Sequence, residues 1–278
     1  MRSFKAHVQT LLDRAGVYQR VKASWIYDLY WTLACKRIID DRRSEIDFYR
    51  HVLGGFREGD LIFDVGANQG YKTGIFLTLG ARVVAMEPDA ECLDILQQRF
   101  VNYRLRRKPL TIVGKAISDS SSVQTMWIDE PGSAKNTLSR KWVEGLRQDD
   151  SRFGHTLGFT NCVRIETVPL EELISTHGLP YYIKIDVEGH ELSVLRGLRR
   201  PVPYLSFEVN LPEFRPEGIE GVRLLACLTS DGSFNYTPDC RHGLALDRWC
   251  NAEEISEKLE ACEDRTIEVF WKTPLARR

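Results

Sequence analysis

The chain has almost no net charge. Its 278 residues include 38 Lys and Arg against 39 Asp and Glu, which gives a formal net charge of −1 at pH 7. Proteins that bind nucleic acids through bulk electrostatics need a broad excess of positive charge, so this class of partner is disfavoured. One basic cluster does occur, and it is local enough to be a solvated loop: Arg104, Arg106, Arg107 and Lys108.

Long apolar runs are also missing. No stretch approaches the roughly 18 consecutive apolar residues that a membrane-spanning helix needs, and the N-terminus lacks the sustained apolar core of a signal peptide. Residues 24–35 form the most apolar stretch, interrupted by Asp28. Its aromatic side chains recur at helical spacing, which favours packing against the rest of the protein or a second subunit over peripheral membrane contact.

Closely spaced cysteines are absent too. The seven cysteines are odd in number, run from Cys35 to Cys262 and include no CxxC pair. Disulfide frameworks and zinc sites need paired or clustered cysteines, so we expect reduced thiols and a cytoplasmic protein.

Strand and helix patterns alternate from Asp60 onward. Gly-rich turns join each strand to the next helix, which predicts an α/β domain with a mostly parallel sheet covered on both faces. We predict this domain over residues 46–278 and a helical N-terminal extension over residues 1–45. A polar excursion, residues 129–162, interrupts the pattern, and long loops of this kind are usually functional or disordered. The predicted strands are 61–65, 81–88, 110–118, 123–128, 163–168, 181–187, 203–209, 233–237 and 266–271.

Residues 183–191, IKIDVEGHE, combine an apolar strand with charge. Lys184, Asp186 and Glu188 alternate along it and therefore share one face. Gly189 ends the strand, and His190 opens a helix. Burying such groups is costly unless they are paired or take part in chemistry, and α/β proteins place their sites at the carboxyl ends of strands. This pattern predicts a catalytic edge; the alternative is a structural ion pair beside ordinary helix-start acids.

Residues 64–70, DVGANQG, follow the first strand and open a helix. Glycines at such a turn let a ligand approach the backbone, and the free N–H groups of the helix attract an anionic group. Glu87 lies at the tip of the next strand, placed to accept hydrogen bonds from both hydroxyls of a ribose. The two features together predict a nucleoside-containing cofactor. The alternative to a cofactor site is that Asp64 caps the helix and that Glu87 is a solvated acid at the end of its strand.

The turn does not match the dinucleotide fingerprint G-x-G-x-x-G. Asn68 stands where a middle glycine would let a pyrophosphate approach, and Asp64 is unfavourable beside phosphates but suits a ligand with an amino group. The pattern therefore favours S-adenosylmethionine over NAD.

Six segments resemble the FkbM-type family of S-adenosylmethionine-dependent methyltransferases, and the resemblance extends over about residues 45 to 272. It implies a Rossmann-like class I methyltransferase sheet of seven strands, the last antiparallel, and methylation of a hydroxyl, often on a sugar. Substrate identity is expected to depend on residues 1–45 and the excursion, where the resemblance is absent or loose. The segments are DVGANQG (64–70), MEPDA (86–90), KAISDSS (115–121), TVPLEEL (167–173), IKIDVEGHELSVLRG (183–197) and LSFEVN (205–210).

The resemblance also implies roles for the cofactor residues. Glu87 would bind the ribose. Ala116 to Asp119 would border the adenine, with Asp119 either bonding its exocyclic amine or serving only as a turn residue. The methionine end of the cofactor would be held by Asp64, Gly66, Ala67, Asn68 and Gly70.

Asp186, Glu188 and His190 are the candidates to take the proton of an acceptor hydroxyl. The ordinary pKa of a histidine is closer to neutral pH than that of a carboxylate, which favours His190 as the base. The alternative is that His190 is a surface residue in the first turn of the helix. Lys184 would fix the orientation of the acids. The remaining polar residues have lesser expected roles: Glu191 complements the helix dipole, and Glu208 and Asn210 are second-tier candidates.

A divalent metal held by Asp186, Glu188 and a further acid would suit Mg²⁺, but no His or Cys spacing supports it and no metal site is predicted. We therefore expect an O-methyltransferase for a sugar, glycan or glycosylated small molecule. A non-catalytic cofactor-binding or assembly module is the alternative, with the N-terminal helices as a contact or homo-oligomer surface. A nucleic-acid methyltransferase is less favoured, because no Asn/Asp-Pro-Pro-aromatic motif occurs.

Overall fold

The computed structural model describes residues 36–106, 109–148, 152–153 and 157–276. In chain order the elements are α1 (Lys36–Val52), β1 (Leu61–Val65), α2 (Tyr71–Thr78), β2 (Arg82–Met86), α3 (Ala90–Arg99), α4 (Val101–Leu105), β3 (Leu110–Val113), β4 (Ala116–Ser118), β5 (Ser122–Ile128), α5 (Arg140–Gln148), β6 (Asn161–Pro169), α6 (Leu170–His177), β7 (Tyr182–Ile185), α7 (Glu191–Arg196), β8 (Tyr204–Asn210), α8 (Arg215–Leu228), β9 (Ser233–Thr237), α9 (Ala252–Ala261) and β10 (Thr266–Lys272).

Within the described residues, seven strands form the central sheet in the order β3-β2-β1-β7-β8-β10-β9. The pairs from β3 to β8 are parallel, and β10 runs antiparallel to both of its neighbours. Every residue of β1 and β7 is buried, as expected for apolar strands with helices over both faces. The predicted α/β fold with an antiparallel last strand is confirmed.

The predicted single strand 110–118 is wrong. The chain breaks after Val113: β3 pairs with β2 in the central sheet, whereas β4 pairs with β6 in a second sheet, β4-β6-β5. Gly114 lies at the break, and a Cβ there would come within 2.9 Å of Leu93 on α3. The close approach of α3 thus marks the point where the chain changes sheets.

Helix α1 packs onto one face of the central sheet. Its buried Phe48 and Tyr49 make edge-on ring contacts with Phe270 and Phe76. The helix continues across the predicted boundary between the extension (residues 1–45) and the main domain (residues 46–278). Residues 1–35, with the apolar stretch 24–35, lie outside the described residues. None of the helices in the described ranges has the length and apolar content needed to cross a membrane.

Candidate active site

A cavity of about 480 Å³ opens at the carboxyl ends of β1, β2 and β7. Parallel strands bring their carboxyl ends to one edge, so two segments distant in sequence meet here. Eight of the predicted site residues line the cavity: Gly66, Ala67, Asn68, Glu87, Ala116, Asp186, Glu188 and His190.

The turn after β1 is built on backbone contacts. The N–H groups of Gly66 and Ala67 donate to the carbonyl of Met86 at 3.0 and 2.9 Å. Gly66 has φ +80°, and a Cβ on it would lie 1.8 Å from the carbonyl oxygen of Asp186. Only glycine therefore fits where the predicted cofactor turn touches the loop after β7.

Glu87 is almost fully buried at the tip of β2, with 7% of its surface exposed. Its carboxylate accepts hydrogen bonds from the backbone N–H groups of Asn68 (2.7 Å) and Asp89 (2.8 Å). Burial raises its pKa to about 7, although both backbone bonds oppose the rise. The carboxyl group thus lines the cavity in a fixed orientation.

Three predicted cofactor residues are absent from the cavity wall: Asp64, Gly70 and Asp119. Asp64 is buried and accepts a 2.5 Å hydrogen bond from the Thr73 hydroxyl, which ties β1 to α2. Asp119 is exposed and accepts from the Ser120 hydroxyl at 2.9 Å, as a turn residue does. Gly70 precedes α2 in the left-handed conformation, with φ +84°.

One part of the cavity wall is apolar, and no pattern in the sequence predicts it as a whole. It includes Pro88, Ile117, Met126 and Leu138. The excursion contributes Gly132, Ser133, Ala134, Asn136 and Leu138 to the wall, and the Asn136 amide donates to the Asp89 carboxylate at 2.8 Å, near the end of β2. The period-two pattern of β5 could have singled out Met126, but no local pattern predicted that the excursion would return to this wall.

Lys184 and Asp186 form an ion pair at the end of β7. The Lys184 ammonium donates to the Asp186 carboxylate at 2.6 Å, and the lysine side chain is only 2% exposed. Burial opposes the charge of Lys184, but Asp186, Glu268 and Asp64 outweigh it and raise its pKa. Asp186 faces the cavity, whereas Lys184 lies behind it.

Glu188 follows in the left-handed backbone conformation, with φ +54°. Its side chain accepts a 3.2 Å hydrogen bond from the indole N–H of Trp142, and its carbonyl accepts from the Thr137 hydroxyl at 2.6 Å. Burial raises its pKa to about 8, and the negative charges of Asp186 and Glu191 add to the effect. Glu188 is thus largely protonated at neutral pH.

Glu208 completes a cluster of three acids. One carboxylate oxygen each from Asp186, Glu188 and Glu208 lies within 4.8 Å of the others. The Asn210 amide donates to Glu208 at 3.0 Å, and burial followed by the charge of Asp186 raises the pKa of Glu208. We assign no metal to the cluster, since groups of acids this close together are common without one.

His190 precedes α7, and its Nε2 lies 3.0 Å from the Ser118 hydroxyl. Burial lowers its pKa to about 4, so the imidazole is neutral at physiological pH. Glu191 accepts from the backbone N–H groups of Val187 (3.0 Å) and Gly189 (3.2 Å) and thereby holds the loop. Its role in the loop adds to the helix-dipole interaction that the sequence suggests.

Residues 64–225 match the family model of the methyltransferase FkbM domain, which is more than half of the chain. The chain belongs to this family. The FkbM resemblance of its sequence segments is thereby confirmed. The match begins at Asp64 and ends within α8, so it includes both the DVGANQG turn and the three acids, whereas α1 and β10 lie outside it.

The hexuronic acid methyltransferase AglP of Haloferax volcanii is 29% identical to this FkbM protein over 173 residues, 62% of this chain and 63% of AglP. The chain thus spans less than two thirds of that relative.

Two solved structures are also similar. One is a TehB-like SAM-dependent methyltransferase from Corynebacterium glutamicum, which is 9% identical. The match covers 83% of this chain and 87% of the other, with a TM-score of 0.40. The other is the precorrin-6y C5,15-methyltransferase from Geobacter metallireducens, which is 10% identical. The match covers 84% of this chain and 86% of the other, with a TM-score of 0.41. TM-scores this low support no conclusion about a shared reaction.

Proposed function

We propose that this FkbM protein is an S-adenosylmethionine-dependent O-methyltransferase that acts on a sugar hydroxyl. The observation that carries the proposal is the position of the Lys184–Asp186 pair. Asp186 faces the cavity at the point where its carbonyl meets Gly66, so a carboxylate lies beside the turn expected to hold the cofactor.

The residues that line the cavity suit the cofactor in polarity. The Glu87 carboxylate would accept hydrogen bonds from the ribose hydroxyls, and the apolar wall of Pro88, Ile117, Met126 and Leu138 suits a purine. The turn of Gly66, Ala67 and Asn68 would border the methionine end. When bound, S-adenosylmethionine supplies an electrophilic methyl group on its sulfonium.

Asp186 would receive the proton of the acceptor hydroxyl. The carboxylate that Lys184 orients would accept the hydroxyl proton when the acceptor oxygen takes the methyl group. Glu188 is less suited, because its raised pKa leaves it mostly protonated. His190 is a weak base with a pKa of about 4. Much of the rate would come from holding the acceptor oxygen in line behind the methyl group.

A sugar is the acceptor class that the cavity wall favours. Asp186 and Glu188 offer hydrogen-bonding oxygens for hydroxyl groups. Lys72, which lines the same cavity and pairs with Glu45 at 2.7 Å, offers an ammonium to a sugar carboxylate. AglP acts on a hexuronic acid by its name, so hexuronic acids are the first acceptors to test.

The test incubates the protein with methyl-labelled S-adenosylmethionine and hexuronic acids, neutral hexoses or glycans from the source cells. We expect a labelled methyl ether on a sugar. Asp186→Asn should bind the cofactor normally in calorimetry but lose roughly 10²- to 10⁴-fold in turnover. Mild alkali distinguishes a stable ether from a methyl ester; an ester would contradict a hydroxyl acceptor. Cofactor binding without transfer to any acceptor would favour the non-catalytic module, and no cofactor binding would overturn the proposal.

A further inference from the structure

Residues of the excursion hold two of the three acids from outside the cavity: Glu188 directly, and Glu208 through Asn210. Trp142, on α5, is 1% exposed and donates its indole N–H to Glu188. The start of α5 is itself anchored, since the Trp142 backbone N–H donates to the Ser139 hydroxyl at 3.2 Å. The indole that holds Glu188 therefore belongs to a well-fixed helix start.

Arg152, also in the excursion, makes a second set of contacts around the acids, and its side chain is only 8% exposed. One terminal nitrogen donates to the Leu211 carbonyl at 3.2 Å and the Glu213 carboxylate at 3.1 Å. The other donates to the Asn210 side chain at 2.6 Å, the Arg265 carbonyl at 2.9 Å and the Thr266 hydroxyl at 2.9 Å. The two terminal nitrogens carry four N–H groups for these five acceptors, so one N–H is shared; an ammonium has only three N–H groups.

Two paths lead from Arg152 to the acids. Its guanidinium carbon lies 4.8 Å from the centre of the Trp142 ring, whose N–H holds Glu188. Arg152 also bonds the Asn210 side-chain oxygen, which orients the Asn210 NH₂ group toward Glu208 at 3.0 Å. Arg152 is absent from the cavity wall; it contacts the acids through these two side chains and acts on Glu188 also through its positive charge.

We propose that Arg152 is a positioning residue, which holds Glu188 through Trp142 and Glu208 through Asn210. It thereby fixes the acceptor side of the cavity, which is the wall formed by Asp186 and Glu188 with Glu208 next to it. The proposal rests on the proposed function for the catalytic meaning of that side. Its structural content, that one guanidinium orients two acids, is testable without any acceptor.

The charges around Glu188 make the test specific. Asp186, on the loop after β7, and Glu191, on α7, raise the pKa of Glu188, whereas Arg152 lowers it. Glu208, on β8, faces the same group from the next strand. Removing Arg152 should therefore raise the pKa of Glu188 further, and Trp142 is the natural reporter because it donates to that carboxyl group.

The experiment titrates tryptophan fluorescence from pH 6 to 10, with the Trp142→Phe curve subtracted to remove the other tryptophans. Arg152→Met should shift the midpoint upward, and Arg152→Lys should lie between it and the wild type. Arg147→Met is the matched control, because Arg147 lies on α5 but donates only to the Phe159 carbonyl among described residues. Its midpoint should equal that of the wild type.

Turnover supplies the second measurement. Arg152→Met should lower kcat about 10- to 100-fold without changing the KM for cofactor, and Arg147→Met should not. If Arg152→Met does not fold, Trp142→Phe and Asn210→Ser test the two paths separately, each with a reduced kcat expected. A wild-type midpoint with normal turnover in Arg152→Met would overturn the proposal, as would normal turnover in both path variants. A shifted midpoint in a protein that methylates no acceptor would support Arg152 and reject the proposed function instead.

Discussion

The two sides of the cavity are held in different ways. On the cofactor side, the carboxylate of Glu87 accepts from the backbone N–H groups of Asn68 and Asp89, and Gly66 touches another backbone directly. On the acceptor side, side chains hold side chains: Trp142 holds Glu188, and Asn210 holds Glu208. Because the first arrangement depends on backbone shape and the second on side-chain identity, the acceptor side can change in sequence while the cofactor side stays the same.

Gly66→Ala should break the cofactor side most severely. The new Cβ would lie 1.8 Å from the Asp186 carbonyl oxygen, a backbone atom that cannot move without displacing the loop, and the positive φ adds strain. We expect a loss of about 3–5 kcal/mol in the free energy of unfolding, measured by urea denaturation.

Gly59→Ala is the matched control for that clash. Gly59 has a similar φ of +88°, but nothing lies within 4 Å of the position where a Cβ would be. It therefore isolates the backbone strain, which should cost about 1–2 kcal/mol. Equal losses in the two variants would show that contact between the turn and the Asp186 loop contributes nothing.

The sequence predicts the cofactor side and the fold because both depend on local patterns. The strand LIFDV, the turn at Gly66 and the acid at Glu87 lie close together in sequence, and each has a pattern with a physical meaning. The strand 110–118 was wrong for the opposite reason. An apolar run does not reveal that Gly114 lets α3 approach or that the two halves pair in different sheets.

The acceptor side was only half predictable. Strand alternation in IKIDVEGHE predicts that Lys184, Asp186 and Glu188 lie together, but β7 ends at Ile185 and Glu188 has a left-handed φ of +54°, so the turn and not the strand sets its position. The partners that hold the acids come from α5, the excursion and β8, and Trp142 and Glu188 are 46 positions apart. Nothing local in the sequence around Arg152 indicates that it contacts β10 and the end of β8. Contacts of this kind follow from the tertiary fold, which local periodicity does not encode.

Lys184→Met tests the buried ammonium group that interacts with Asp64 on β1 and with Asp186 after β7. Lys184 is a buried cation that interacts with Asp186, Glu268 and Asp64, so its removal weakens the positive charge near all three and leaves Asp186 without its ion-pair partner. We expect a loss of about 3 kcal/mol in the free energy of unfolding, measured by thermal and urea denaturation. Asp186→Asn, which keeps the lysine, should lose much less stability. A stable Lys184→Met protein would mean that the pair serves chemistry alone.

Glu87 should make nucleoside binding depend on pH. Its pKa in the protein is about 7, so below pH 7 the carboxyl group is protonated and loses an acceptor for the ribose hydroxyls. Affinity should be full above pH 7 and fall about tenfold per pH unit below it. Methylthioadenosine is the suitable probe in calorimetry, because it keeps the ribose and lacks the amino acid, whose amine also titrates. Glu87→Gln should bind more weakly and without this dependence; an unchanged pH profile in that variant would remove Glu87 from the site.

His190→Gln should have the smallest effect on turnover and a larger one on the pH dependence of stability. With a pKa of about 4 in the folded protein, below the ordinary 6.5, His190 favours folding above pH 6.5, and that contribution is lost as the pH falls toward 4. The variant should therefore lose less stability than the wild type between pH 7 and 5. His51→Gln, on the exposed face of α1, should match the wild type.

The turnover of His190→Gln should fall far less than the roughly 10²-fold expected when a general base is removed. A loss of that size, with the cofactor still bound, would transfer the role of base from Asp186 to His190, and would mean that acceptor binding raises the imidazole pKa into the working range.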